Sequence, residues 1–273
     1  MVAVSTASAD SLAGRLPGTS VISELHRLQS ASAPRGLLSR LFGRSPLGVD
    51  ARPWYRGAIG EIEVGQVLDA VSGWTALHAV PVGTAGSDID HVIVGPGGVF
   101  TINTKNHSGK KIWVAGSRLL VNGHKQDHIR NSLHEARRAA KLLSASVGFP
   151  VTVTPVVVVV RPASLTVRSS KTESVTVLDS RRLARWLGCR KPVLPPDHVA
   201  SITAAATRVV TWSAVAAPLP DYGGEREWFA RLHRTVTTAR RRAQLWILAA
   251  LAALVATMFA LLAQVPGIML GFL

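Results

Sequence analysis

The chain is poor in cysteine, in aromatic residues and in acids, and each shortage narrows what it can be. A single cysteine, Cys189, among 273 residues excludes an intramolecular disulfide framework and any zinc site built from several thiolates. It fits a reducing compartment. Aromatic residues make up 5% of the chain, which leaves little for platforms that stack the bases of single strands. Asp and Glu number 16 against 31 Lys and Arg, a formal net charge of +15. An anionic partner is therefore expected, either nucleic acid or an anionic lipid surface. There is no internal repeat, and the first residues lack the basic-then-apolar order of a secretory signal peptide. Nothing in the sequence fixes an oligomeric state. What is plentiful is apolar: 47% of the residues are hydrophobic, enough for a core, so a wholly disordered chain is excluded.

The apolar residues are concentrated near the C-terminus. Residues 245–263 read LWILAALAALVATMFALLA, 19 residues without a charge. A helix needs about 20 apolar residues to cross a hydrocarbon core of about 30 Å. The alternative is a buried core helix, but soluble helices of this length usually keep a polar face. Arg231, Arg234, Arg240, Arg241 and Arg242 precede the run, and no Lys or Arg follows it. The positive-inside bias then predicts a single pass of the cell membrane over residues 244–264, with residues 1–243 cytoplasmic and a short tail, 265–273, beyond. Trp246 stands where an interfacial aromatic would, and the position of the run resembles a tail anchor.

Residues 1–50 are rich in Ser, Ala, Gly and Arg with weak periodicity, the pattern of a flexible basic arm. Within it, ISELHRLQS has the makings of a short helix. Residues 32–46 set Arg35, Arg40 and Arg44 beside Leu37, Leu38, Leu41 and Phe42, which would also suit a basic amphipathic patch on a membrane. The ordered pattern spans residues 51–160. Ile59, Ile62, Val67, Leu68 and Val71 recur at helical spacing, ending at Gly73. Short strands follow over residues 75–80, 89–94 and 99–105, the last two joined by a Gly-Pro-Gly-Gly turn at 95–98. Residues 112–114 and 119–121 form a second small hairpin. Residues 127–144 form a helix, with Ile129, Leu133, Ala136, Ala140 and Leu143 on one face. The run VTPVVVVV at 153–160 is apolar on both faces, so it belongs in the middle of a sheet, with Pro155 near its start. Residues 161–222 extend the same domain by a strand at 174–178 and helices at 180–187 and 197–212, with caps at Ser180 and at Pro196-Asp197. Residues 223–243 read as a basic juxtamembrane linker. The fold class is α/β, a mixed sheet flanked by helices, plus one C-terminal transmembrane helix.

Within this frame a few polar residues stand out. Glu61 follows Gly60 in the first helix, Asp88 and Asp90 bracket the start of the second strand, and Lys105 ends the third. A hairpin closed at 95–98 places residue 90 roughly opposite residue 103, and alternation puts Asn103 and Lys105 on one face. Carboxylate, amide and amine are then neighbours. Hard divalent cations such as Mg²⁺ take oxygen ligands, commonly one or two carboxylates with water and phosphate, and a lysine beside the ion would assist an attacking water. A cross-strand ion pair on a solvated face is the plainer reading of Asp90 and Lys105. Glu61 and Glu63 would then be exposed helix residues and Asp88 the cap of a strand. His91 reads as packed or at the surface. His124 and His128 have i, i+4 spacing without the glutamate of a zinc-protease motif.

GAIGE at 57–61, DIDHVIVGPGGVFTINTKN at 88–106 and QDHIRNSLHEARRAAKLL at 126–143 together resemble the nuclease-related domain, NERD, of the PD-(D/E)xK restriction-endonuclease-like superfamily. The resemblance covers about residues 54–160. It implies a restriction-endonuclease-like sheet, phosphodiester hydrolysis of nucleic acid and a Mg²⁺ (or Mn²⁺) cofactor. It also implies Glu61 as the helix glutamate, Asp90 as the metal-binding aspartate, Lys105 as the catalytic lysine and Gln126 near a polar position at the start of the second helix. Asn103 departs from the pattern, which has Asp or Glu two residues before the lysine. An amide still offers a neutral oxygen to the metal set of Asp90, Glu61 and Asn103, but a lost negative charge weakens divalent binding. The alternative is a module that keeps the fold, cleaves weakly or not at all, and binds nucleic acid or anionic lipid at the membrane. Residues 107–143 carry eight Lys or Arg against Asp127 and Glu135, and residues 181–191 carry five with no acid. Lys110, Lys111, Lys125, Gln126 and Arg130 are the expected phosphate contacts.

Overall fold

Local pattern sets the order of elements in the computed structural model, which describes residues 11–33, 35–82, 88–168, 175–213 and 222–270. Helices α1 (Thr19–Ser30), α2 (Leu37–Leu41) and α3 (Ala51–Asp69) come first. Strands β1 (Thr75–Pro81), β2 (Asp88–Gly95) and β3 (Gly98–Asn106) then run antiparallel. The β2–β3 register pairs Val94 with Val99 and His91 with Ile102, as the glycine turn and the alternation require. Short strands β4 (Lys111–Ala115), β5 (Arg118–Val121) and β6 (His124–Gln126) follow, then helix α4 (His128–Val147) and strand β7 (Val153–Val160). Strands β8 (Ser164–Arg168) and β9 (Thr176–Asp179) lead through a 3₁₀ turn, Ser180–Arg182, to helices α5 (Leu183–Gly188), α6 (Pro196–Thr207) and α7 (Val209–Trp212). Helix α8 (Tyr222–Leu270) completes the described chain.

The main sheet has the order β1-β2-β3-β7-β9 and is mixed, because β7 runs parallel to both β3 and β9. Val156 to Val160 are each at most 1% exposed, which follows from a strand with neighbours on both edges and helices on both faces. On one face, Val64 and Leu68 of α3 pack on Ile93, Ile102, Val156 and Val158. On the other, Ala136, Ala139 and Leu143 of α4 pack on Val92, Val94 and Val99. The second sheet, β6-β5-β4-β8, is also mixed and covers Val157, Val159 and Ile129. Strands β6 and β8 lack the apolar alternation that marks a strand in sequence, since β6 reads HKQ and β8 is mostly exposed. The 3₁₀ turn is capped by the Asp179 carboxylate, which accepts the Arg181 N–H, so Asp179 rather than Ser180 is the cap there.

Two boundaries expected from composition are corrected. Residues 11–50 are not a free arm: Leu12, Ile22 and Leu25 are buried, and α1 packs on α3 and on the first half of α8. Residues 1–10 of that arm lie outside the described residues. Residues 223–243 are not a linker either, because they continue without a break into the apolar run as one helix. Phe229 and Ala239 are buried, His26 stacks on Trp228 at 4.2 Å, and the Tyr55 hydroxyl lies 2.8 Å from Nδ1 of His233. Apolar residues were too sparse in both stretches for either to look structured alone; each stretch buries its few against the other. From Leu245 to Leu262 the large apolar side chains are exposed, and the most apolar window of the helix has a mean hydropathy of 2.5 with none of it buried. The apolar run is therefore not buried against the rest of the described chain, and α8 is long and apolar enough to cross a membrane.

Candidate active site

The ladder between β2 and β3 ends at His91–Ile102, and the next residue back on β2 is Asp90. Its carboxylate takes over where a strand carbonyl would have been, accepting the Thr104 N–H at 2.6 Å. On the other edge the β1–β2 pairing skips from His78–His91 to Val80–Ile89, passing over Asp90 and Ala79. Ala79 has φ +47, a left-handed conformation that costs an alanine on the order of 1 kcal/mol. The sheet is therefore pried open on both sides of Asp90.

Helix α3 brings Glu61 to this opening. It can approach because residue 60 has no side chain: a Cβ there would stand 3.1 Å from Cβ of Asn106 and 3.4 Å from Cγ2 of Thr104. Glu61 is 6% exposed and accepts a hydrogen bond from the Gly18 N–H, so the N-terminal segment holds it as well. Asp88 is hydrogen-bonded by the Ser20 hydroxyl from α1. From the opposite face α4 contributes Glu135, whose two carboxylate oxygens each accept from Nδ2 of Asn103 at 2.8 Å.

Burial and mutual repulsion shape the charges here. Burial, then the charges of Asp90 and Asp88, hold the Glu61 carboxyl well above the ordinary range. Burial raises Asp90 also, opposed by the Lys105 ammonium and the Thr104 N–H. Glu135 is pushed up to about 7, by burial first and against the Asn103 hydrogen bond. Lys105 acts on Glu61, Asp90 and Glu135 through space and forms no direct ion pair with a carboxylate among the described residues. Glu61, Asp90 and Lys105 thus act on one another's charge, and Asn103 is bonded to Glu135, on which Asp90 and Lys105 also act.

Glu135 was missed from sequence, where it counted only as one acid within a basic stretch. It stands one turn beyond the buried Ser132 on α4, on the face that meets the sheet. His91 is fully buried and packed, with Nδ1 2.8 Å from Nδ1 of His78, whose Nε2 meets Asp69 at 2.9 Å. His128 meets His107, Nε2 to Nε2 at 3.0 Å, rather than His124.

The donor set suits a hard dication in type: oxygen acids that resist sharing negative charge, beside an Asn103 Oδ1 that is buried without a hydrogen-bond partner. Its spacing is not closed around an ion. Among the described residues no group of three His, Cys, Asp or Glu side chains is placed to hold a metal. Each acid is instead fastened to its own donor: Gly18 N–H, Ser20 Oγ, Thr104 N–H or Asn103 Nδ2.

Two openings flank the group. A cleft of about 370 Å³ has Asp88 and Glu135 on its wall with Arg130, His134 and Arg138. A broader groove of about 800 Å³ begins at Asn106 and His107, beyond Lys105, and is lined by Arg52, Arg56, Lys110, Arg161 and Arg240 with no acid. Of the expected phosphate contacts only Lys110 lies in that groove. Arg130 lines the acid cleft and is paired with Asp127 at 3.1 Å. Lys111, Lys125 and Gln126 sit on the small sheet, the two lysines exposed and Gln126 half-buried.

The sheet is mixed, is opened at one aspartate, and has acids from two helices and a lysine on the adjoining strand around that opening, within an α/β architecture. Residues 56–160 match the family model of the nuclease-related domain, NERD, less than half of the chain but all of the strands and helices that build this group except the N-terminal segment. No curated protein and no solved structure matches the chain.

Proposed function

We propose that this chain is a membrane-anchored, divalent-metal-dependent nuclease, with residues 1–243 on the cytoplasmic side of the cell membrane. What supports the reading is that the Lys105 ammonium acts through space on the buried Glu61, Asp90 and Glu135, all within the segment that matches the nuclease-related domain. To hold Mg²⁺ or Mn²⁺, Asp90, Glu61 and Glu135 would have to leave their present donors and close with the Asn103 oxygen on one ion, which would then supply charge stabilisation and a more acidic water. Lys105 stabilises the charge that builds on the phosphoryl oxygens. Asp90 fixes the Thr104 backbone, one residue before that lysine. Burial beneath α3 and α4 limits water around the acids and strengthens each of these interactions. The groove that begins at Asn106, with Arg52, Arg56, Lys110 and Arg240 on its lining, suits a phosphodiester backbone, and its cations carry no base specificity.

Purified full-length chain in lipid nanodiscs, given Mg²⁺ or Mn²⁺ and a mixture of DNA and RNA, tests this. Cleavage that needs the metal and disappears in both Asp90→Asn and Lys105→Met supports the site; cleavage indifferent to both changes removes it. A second reading, a nuclease-like module that binds without cutting, is favoured by the Asn103 amide, which occupies Glu135 where an acid would have faced the ion. It expects salt-sensitive binding of nucleic acid, no turnover and no stabilisation by Mg²⁺.

A further inference from the structure

Helix α2 and the loop after it carry apolar side chains that the described residues leave half or more exposed: Leu37 is 84% exposed, Leu38 70%, Leu41 53% and Phe42 50%. Four neighbouring apolar side chains left in water cost solubility unless something else buries them. The segment is not loose. Gly43, at φ +69, lies so close to α8 that a Cβ would come within 2.4 Å of both the Ala239 carbonyl oxygen and the Ala243 nitrogen. The Trp246 indole N–H donates to the Leu41 carbonyl at 3.0 Å, an Arg242 N–H donates to the Arg40 carbonyl at 3.3 Å, and Phe42 lies against Trp246 with ring centroids 5.3 Å apart. All of these contacts fall on residues 239–246 of α8, the stretch that leads into its apolar run. The exposed leucines are thereby held at the level where α8 would enter a bilayer.

The rim of this patch is cationic. Residues 25–49 contain no acid and include Arg35, Arg40 and Arg44, and Arg240, Arg241 and Arg242 stand opposite on α8. Burial, Arg40 and Arg242 all push the Arg35 guanidinium below its usual range, as expected of a cation set beside like charges. Apolar side chains at the centre and arginines around them are what the interfacial layer of an anionic bilayer takes up.

We infer that residues 35–44 form a second membrane contact, seated among anionic phospholipid headgroups beside the point where α8 enters. This rests on the reading of α8 as a membrane helix. The two-point contact would fix the tilt of the folded domain on the bilayer. It would also hold the basic groove, whose lining includes Ser45, Leu47 and Arg240, close to the lipid surface.

The test uses the full-length chain with Cys189→Ser and one introduced cysteine, Leu38→Cys, Leu254→Cys or Val193→Cys, labelled with an environment-sensitive fluorophore. Val193 is 70% exposed and bonded to the turn at Pro96, away from α2. The chains are reconstituted into vesicles of phosphatidylglycerol and phosphatidylcholine, with quenchers borne on shallow acyl positions or dissolved as iodide. The expected result is lipid-borne quenching at position 38 about twofold or more above that at 193, increased by phosphatidylglycerol and reduced by Leu37→Glu with Arg40→Gln. Deep quenching at 254 with only iodide quenching at 38 overturns the inference and leaves the membrane helix standing. A label at 38 that is shielded from both quenchers, with cross-linked dimers, assigns the patch to a second copy and also overturns it. Iodide quenching at 254 removes the membrane reading itself.

Discussion

Nδ2 of Asn103 stands 2.8 Å from both carboxylate oxygens of Glu135, so a strand amide and a helix acid meet under the sheet opening at Asp90. An amide between two oxygens donates to them. Glu135 thus places an acid from α4 beside the position that Asn103 holds on β3.

Glu135 should make stability depend on pH. Its folded value of about 7 lies above the ordinary 4.5, so the folded state binds the extra proton between those values. Stability is then full below about pH 4.5 and falls as pH rises to about 7, by up to about 3 kcal/mol at 1.36 kcal/mol per unit. Urea denaturation at pH 5 and pH 8 checks this. Glu135→Gln, which cannot ionise, should flatten that part of the profile and be more stable than the natural chain at pH 8.

Asn103→Asp puts a second carboxylate against Glu135. Without metal, the like charges should destabilise the fold at neutral pH by about 1–3 kcal/mol. With Mg²⁺ the order should reverse in part, because two acids on one ion are worth more than one. Thermal melts of both chains with and without Mg²⁺ check it: the metal-induced rise in Tm should be larger for the aspartate variant.

Gly60→Ala should push α3 off the sheet. The new Cβ would meet Asn106 at 3.1 Å and Thr104 at 3.4 Å, and neither neighbour is the free end of a long side chain. Overpacking of this kind costs about 1–3 kcal/mol. Because Glu61 is the next residue, the loss in cleavage should exceed what the fraction unfolded explains, measured on the same sample.

The cations of the groove should act as phosphate contacts. Arg52→Gln, Arg56→Gln and Lys110→Gln should each weaken nucleic-acid binding to a similar degree for different sequences and reduce the slope of log Kd against log salt by about 1. Fluorescence anisotropy over a salt series reads both quantities. Lys125→Gln, on the small sheet, should change neither.

The hairpin, the valine strand and helix α4 were legible in the sequence because each buries a face, and burial writes a period of two, an unbroken run or a period near 3.6 into the chain. Asp90, Asn103 and Lys105 followed from that register. Glu135 did not, because nothing local says which turn of an amphipathic helix lies over a given pair of strands. The N-terminal layer was hidden for another reason. Ile22, Leu25, Tyr55 and Phe229 share a core drawn from three separated segments, and each segment alone looks polar. Strands β6 and β8 owe their place to backbone pairing with β5 and β4 rather than to side chains, so they leave no pattern to read.

Whether these acids grip one dication together is read most directly, and without a substrate, by Mn²⁺ binding to the full-length chain followed by electron paramagnetic resonance. The expected result is a single class of bound Mn²⁺, tighter at pH 8 than at pH 6 because Glu135 must lose its proton, and abolished by Asp90→Asn. Mn²⁺ that stays free at both pH values, or binding untouched by Asp90→Asn and Glu61→Gln, would contradict it.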